Sequence, residues 1–233
     1  MRIAMWSGPR NISTAMMYAF GNRPDFAVWD EPFYAAYLSA TGLDHPMRET
    51  VLARHETDPV KVAKICSGPV PGGKKHFYMK HMPFHMVEGF PLDWARDCVN
   101  VHLIRHPSRV IASYAAKREN PTMQDIGFKR QNELFEVLPG PVLDSADIRA
   151  DPEGMLKKLC DIIGLDFNPA MLSWQAGSKH FDGAWAPHWY GAVHRSTGFA
   201  GPEGALPEIT GALAALVEDV LPHYEAMAAR RIR

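Results

Sequence analysis

The sequence predicts an α/β fold in three layers, a parallel β-sheet of about five short strands flanked by helices. Three observations carry that expectation. A strand, a polar loop and a helix follow one another within the first twenty residues. Short continuous apolar runs then recur along the chain, as strands buried on both faces require. Segments of helical length separate them.

Residues 2–6 (RIAMW) are the first expected strand and residues 13–20 (STAMMYAF) the first helix, ended by Gly21-Asn22. A second strand at 26–29 stops at Asp30-Glu31-Pro32, and a third at 76–80 follows a Pro/Gly-rich turn at 68–73. The fourth, 99–104, is wholly of strand length and mostly apolar, and the fifth is 141–143. Helices are expected at 33–40, 58–66, 107–118, 124–138 and 151–163. Residues 206–227 place Leu206, Ile209, Leu213, Leu216, Val217 and Val220 at spacings of three and four, an amphipathic helix with a kink expected at Pro222. Residues 175–204, rich in Gly, His and Trp without a period, are too long for a plain connection and are expected to form a lid. No repeat or linker interrupts the chain, so one domain is expected over 1–233.

Of the 233 residues, 46% are hydrophobic and 22% charged, ordinary values that exclude disordered and fibrous classes. Lys+Arg 25 against Asp+Glu 26 leaves a net charge of -1, which excludes a broad phosphate-neutralising face and hence nucleic-acid binding. Positive charge relevant to function must be local. Cys66, Cys98 and Cys160 are far apart and form neither a disulfide framework nor a zinc-ligand pattern. The opening MRIAMWSGPR holds too short an apolar run for a secretory leader, and no stretch reaches the ~18 residues of a membrane span. The expected location is the cytoplasm, away from membranes. The sequence is silent on oligomeric state.

The first loop, Gly8-Pro9-Arg10-Asn11-Ile12-Ser13-Thr14, runs from a buried strand into a helix. Free N–H groups and the positive end of the dipole make such a junction an anion site. Arg10 adds a guanidinium, and Ser13 and Thr14 add hydroxyls in the first turn. The plainer alternative has Ser13 as a helix cap and Arg10 as a solvated charge. A nucleoside triphosphate-hydrolysing loop would carry a Lys and a second Gly, and neither is present; the fourth strand also ends in Arg105, not in the Asp that would orient magnesium. After that strand comes Arg105-His106-Pro107-Ser108-Arg109, with Ser113 eight residues beyond Arg105. Arg105 and Ser113 are suited to a second phosphate at the carboxyl edge of the sheet. Alternatively, Arg109 is a surface charge and Ser113 a packing residue.

The pairing of a P-R-x-x-S-T loop with a later R-x₇-S resembles the sulfotransferase superfamily, whose donor is 3′-phosphoadenosine 5′-phosphosulfate (PAPS) and whose product is 3′-phosphoadenosine 5′-phosphate (PAP). The resemblance implies a P-loop-NTPase-like sheet and a cradle at Gly8, Pro9, Arg10, Asn11, Ile12, Ser13 and Thr14 for the 5′-phosphosulfate. It implies Arg105 and Ser113 for the 3′-phosphate. Ile12 departs from the glycine that family loops often hold there. A branched residue takes the left-handed conformation only at a cost, so a different backbone path, or tightening by helix onset, is expected. The late cofactor-covering segment of cytosolic members is also altered; Arg195, Ser196, Thr197 and Gly198 are the candidates to replace it.

Sulfuryl transfer needs a base for the acceptor and cationic groups for the leaving phosphate, a role open to Arg10 and Lys80 without a metal. Two residues compete as base: Glu31, directly after the second strand, and His81 in Lys80-His81-Met82-Pro83, similar to the K-T-H-L-P segment of cytosolic members. The spacing of His76, His81 and His85 matches no common metal site. Aromatic residues gather at Phe33, Tyr34 and Tyr37, and again at Trp185, Trp189, Tyr190 and Phe199, either as core or as a pocket for a small acceptor. The acceptor is a hydroxyl or an amine of unspecified class. Two other functions remain open on the sequence alone: a small-molecule kinase, and a nucleotide-binding protein without turnover.

Overall fold

The computed structural model describes residues 1–116 and 121–233. Five strands, β1 (Arg2–Ser7), β2 (Phe26–Asp30), β3 (His76–His81), β4 (Val99–Ile104) and β5 (Val142–Asp144), form one sheet. Their order is β2-β3-β1-β4-β5 and every pairing is parallel. The predicted three-layer α/β fold is therefore the observed one, with each strand within a residue or two of its expected limits. β1 lies at the centre, in register Trp6↔His81 with β3 and Trp6↔His102 with β4. From β1 the chain goes out to one side, to β2, and from β4 to the other, to β5. A crevice opens at such a switch point, and the loops after β1 and β4 border it.

Strand alternation divides the core in two. Ile3, Met5, Tyr78, Val101 and Leu103 face α1 (Ser13–Gly21) and α9 (Pro152–Ile163), whose Met16, Phe20, Leu156 and Leu159 close one layer. Ala4, Trp6, Phe77 and Met79 face the other way, against α4 (Pro59–Ser67), Trp94 and Leu134. Each large apolar side chain buried this way contributes about 1.5–3 kcal/mol.

Helix limits follow from caps. Asp58 accepts from the N–H groups of Val60 and Lys61 ahead of Pro59, and Asp151 accepts from Gly154 N–H ahead of Pro152. The helix expected at 33–40 is α2 (Tyr34–Thr41). The one expected at 107–118 is α5 (Pro107–Ala115), its last two residues lying outside the described residues. The helix expected at 124–138 is two, α6 (Met123–Ile126) and α7 (Phe128–Val137), because Gly127 takes φ 70 between them. Two helices, α3 (Arg48–Arg54) and α8 (Ser145–Ala150), have too few apolar positions to announce themselves. The last helix, α12, spans Ala212–Ala228, not 206–227, because Gly211 at φ 63 starts it and Pro207 holds the residue before it out of helical geometry. Within 175–204 there are two short helices, α10 (Ala186–Trp189) and α11 (Gly191–His194), and a bridge pairs Ser173 with Gly198. Among the described residues no helix is long and apolar enough to cross a membrane.

Candidate active site

A cavity of about 620 Å³ opens at the carboxyl edge of the sheet, between the loops after β1, β2, β3 and β4 and the 185–200 segment. Pro9, Arg10, Ile12, Ser13 and Thr14 of the first loop line it; Gly8 and Asn11 do not. Gly8 N–H donates to Gln131 Oε1 at 3.3 Å, and Asn11 Nδ2 donates to Leu103 O at 3.1 Å, so both brace the loop from below. A Cβ on Gly8 would stand 2.8 Å from Ile126 O. Gly8→Ala is expected to cost about 1–3 kcal/mol by forcing this backbone apart, measured as a lower thermal midpoint.

Ile12 does not escape the left-handed region as the sequence led us to expect. It sits at φ 60, ψ 16 as the N-cap of α1, with Arg10 at φ 63 two residues earlier. Non-glycine residues held there cost on the order of 1–3 kcal/mol each and concentrate at functional sites. The compensation is visible: the Ile12 side chain packs on the core, its carbonyl accepts from Met16 N–H at 3.1 Å, and the Arg10 carbonyl accepts from Arg105 Nη1 at 2.7 Å. The result presents the first turn of α1, whose N–H groups have no intrahelical acceptor, to the cavity.

At the opposite wall is a buried charge cluster. Lys80 Nζ donates to Asp30 Oδ1 at 2.9 Å, Glu31 Oε1 at 2.5 Å and Tyr190 Oη at 2.7 Å. Tyr190 Oη donates in turn to Asp30 Oδ2 at 2.7 Å, and Gly183 N–H to the same oxygen at 3.0 Å. Glu31 stands at φ 40, its N–H bonded to Lys80 O, which turns its carboxylate into the cavity while Asp30 stays behind it. Burial raises the Glu31 carboxyl above its ordinary range, opposed by Lys80 and assisted by Asp30. Burial acts to lower the Lys80 ammonium, but the two carboxylates outweigh it and leave it above the usual lysine value. An ammonium has three donors, and all three are committed here. Lys80 therefore holds Glu31 in place and has no hand free for a donor phosphate, the role the sequence reading gave it.

His81 points away from this cluster. Neighbouring strand residues face opposite sides of a sheet, so the register that turns Lys80 into the cavity turns His81 out of it. Its ring stacks on Trp6 at 4.7 Å and lies 4.9 Å from Trp94, and burial, with Lys80 nearby, pushes its pKa down to about 3. It is not among the residues lining the cavity.

Arg105 and Ser113 both line the cavity. Arg10 Nε donates to Ser113 Oγ at 2.8 Å, which joins the first loop to α5. Arg195, Ser196, Thr197 and Gly198 line it as well, pinned by Trp174, whose backbone N–H donates to Thr197 O at 3.0 Å and whose indole N–H donates to Ser196 Oγ at 3.2 Å. Of the aromatic residues named from the sequence, Tyr34, Trp185, Trp189, Tyr190 and Phe199 face the cavity, joined by Phe84 and Tyr114. Phe33 instead packs 5.6 Å from Trp94, and Tyr37 packs behind His85 at 4.9 Å. Asp30 and Arg149 were not singled out by the sequence, and Tyr190 only as one of the aromatic residues of a possible acceptor pocket, not as a partner of Asp30, Glu31 and Lys80; the acidic pair Asp30-Glu31 at a strand end was the one signal for that cluster.

A parallel sheet of this order, with an anion-suited loop after β1 and a second basic loop after β4, defines a P-loop-like α/β protein of the sulfotransferase kind. A family profile described as a sulfotransferase domain matches residues 1–231, and the chain belongs to that family. It is 35% identical over 231 residues to the branched-chain-amino-acid aminotransferase-like protein 2 of Arabidopsis thaliana, covering 97% of this chain and 41% of that protein. To protein 1 of the same name it is 38% identical over 207 residues, covering 86% of this chain and 37% of the relative. The chain thus spans less than half the length of these curated relatives. Among solved structures, a sulfotransferase from Alicyclobacillus acidocaldarius superposes with TM-score 0.56 at 12% identity, covering 99% of this chain and 96% of that one. The sulfotransferase domain of a Synechococcus olefin synthase gives 0.52 at 17%, covering 98% and 94%. At these identities the likeness is one of fold.

Proposed function

We propose that this cavity transfers a sulfuryl group from PAPS to a hydroxyl or amine of a small acceptor. The observation that carries the proposal is that one cavity joins an anion-binding wall to a proton-accepting wall. Arg10, Ser13, Thr14, Arg105 and Ser113 line the first, and Glu31 lines the second. The first set supplies positive charge and guanidinium and hydroxyl donors, with no carboxylate among them, the chemistry a phosphosulfate and a phosphate monoester require. In the reaction, Glu31 removes the acceptor proton as the acceptor atom bonds to sulfur. The bond from sulfur to the bridging phosphate oxygen breaks, and PAP leaves with the added negative charge facing Arg10. Lys80, tied to Asp30 and Tyr190, holds the Glu31 carboxylate at its post. Trp185, Trp189, Tyr190 and Phe199 of the 175–204 segment supply the aromatic side of the acceptor pocket.

Calorimetric titration with PAP tests the donor assignment. Wild type is expected to bind PAP, and Arg105→Ala to weaken it by about 30-fold or more, since a guanidinium–phosphate pair is worth roughly 2 kcal/mol or more. ATP binding that needs magnesium, with no response to PAP, would instead favour a kinase.

A further inference from the structure

The arginine expected at the 3′-phosphate is already engaged, by the protein itself. Arg105 Nη2 lies 2.7 Å from Glu203 Oε1, Arg149 Nη1 3.0 Å from the same oxygen, and Arg109 Nε 2.7 Å from Oε2. The Glu203 side chain is only 2% exposed. The arginines also grip the backbone on either side: Arg149 Nε donates to Gly201 O at 2.8 Å, and Arg109 Nη2 donates to Gly204 O. The segment Gly201-Pro202-Glu203-Gly204 has no regular structure of its own. Three guanidinium groups from three separate places, the end of β4, α5 and α8, thus close on a single carboxylate. Arg105 and Arg149 line the donor cavity, and Ser113 lies one helical turn from Arg109 on α5.

The charges do not balance. One carboxylate faces three guanidinium groups, with Arg10 hydrogen-bonded through its carbonyl to Arg105 close by. A phosphate monoester carries about two negative charges near neutral pH and offers three strong acceptor oxygens, one for each guanidinium. It matches this cluster better than a carboxylate does. We infer that Arg109 and Arg149 complete, with Arg105, the site for the donor's 3′-phosphate, and that Glu203 is an internal stand-in for that phosphate which the donor displaces on binding. The inference rests on the PAPS reading above. It gives Glu203 a role in selectivity: a nucleotide without a 3′-phosphate has nothing to exchange for the carboxylate and leaves it in place.

The test compares PAP with adenosine 5′-monophosphate (AMP), which lacks the 3′-phosphate, by calorimetry on wild type, Glu203→Gln and Arg149→Gln. Glu203→Gln is expected to bind PAP about tenfold or more tightly than wild type, with AMP unchanged, because the competing charge is gone. Arg149→Gln is expected to weaken PAP about tenfold and again spare AMP. Hydrogen exchange on the wild-type protein gives a readout free of any folding defect: PAP should speed amide exchange across 201–205, and AMP should not. If wild type binds PAP but Glu203→Gln brings no gain, or exchange at 201–205 slows or stays level, the displacement is overturned and the donor reading stands. If both nucleotides gain equally in Glu203→Gln, Glu203 is only a cover over the cavity and the inference fails. If PAP binds wild type no better than AMP, both readings fall.

Discussion

Glu31→Gln is expected to reduce turnover by about 10²–10⁴, the range that removal of a general base commonly costs, while leaving PAP affinity essentially intact. Gln keeps the shape and the hydrogen bond from Lys80 but cannot take a proton at neutral pH. The pH profile adds a second signature. The catalytic form of Glu31 is the deprotonated one, and burial holds its pKa above the ordinary carboxylate range. Wild-type rate should therefore rise with pH through that elevated pKa, and the residual rate of Glu31→Gln should lack this acidic limb. His81→Ala provides the contrast. With its pKa pushed down to about 3 the imidazole is neutral throughout the working range, and it packs between Trp6 and Trp94 outside the cavity. Its loss should lower stability and leave the acidic limb in place. A folded His81→Ala protein without turnover, beside a Glu31→Gln protein with full turnover, would reverse the assignment.

The contrast between those two residues also marks what a sequence can and cannot convey. β1, β3 and β4 are legible because a central parallel strand buried on both faces is short and mostly apolar, as Val99–Ile104 is but for Asn100 and His102. The same regularity could have separated Lys80 from His81, since adjacent strand residues cannot both face the cavity; the motif similarity drew attention to the histidine instead. Ile12 is a different case. Its φ of 60 runs against its own preference and is imposed by what surrounds it, the core under its side chain and Arg105 on the neighbouring carbonyl of Arg10. Contacts at long range were beyond reach for another reason. Tyr190 meets Asp30 across 160 residues, and Glu203 meets Arg105 across 98, from a segment with no hydrophobic period to fix its course. The acidic turn after β2 and the arginine after β4 pointed to the edge of the sheet where the cavity lies; the residues that come to meet them did not.

Lys80→Met is expected to be among the most destabilising single changes in the protein. Methionine approximates the length of the lysine stem, so packing is nearly preserved and the lost charge is isolated. What remains is two buried carboxylates, Asp30 at 1% and Glu31 at 8% exposure, without the cation that lies 2.9 and 2.5 Å from them. Removing one partner from a buried pair typically costs about 3–5 kcal/mol, because the survivors stay desolvated and unpaired. For a chain of this size that is a fall in Tm of roughly 6–20 °C. The pH dependence separates charge from packing. In the wild type the raised Lys80 pKa keeps its contribution whole through neutral pH, to be lost only above the ordinary lysine range. In Lys80→Met the cation that opposes the burial of Glu31 is gone, so the Glu31 pKa rises further and the folded state binds a proton that the unfolded chain has released. The deficit must then grow as pH rises above about 4 and shrink as pH falls back toward it. A deficit independent of pH would assign the loss to packing alone. The double variant Lys80→Met/Glu31→Gln sharpens the point, since two independent destabilising changes would add. Here the second change removes one of the stranded charges, so the double variant should be more stable than Lys80→Met by itself.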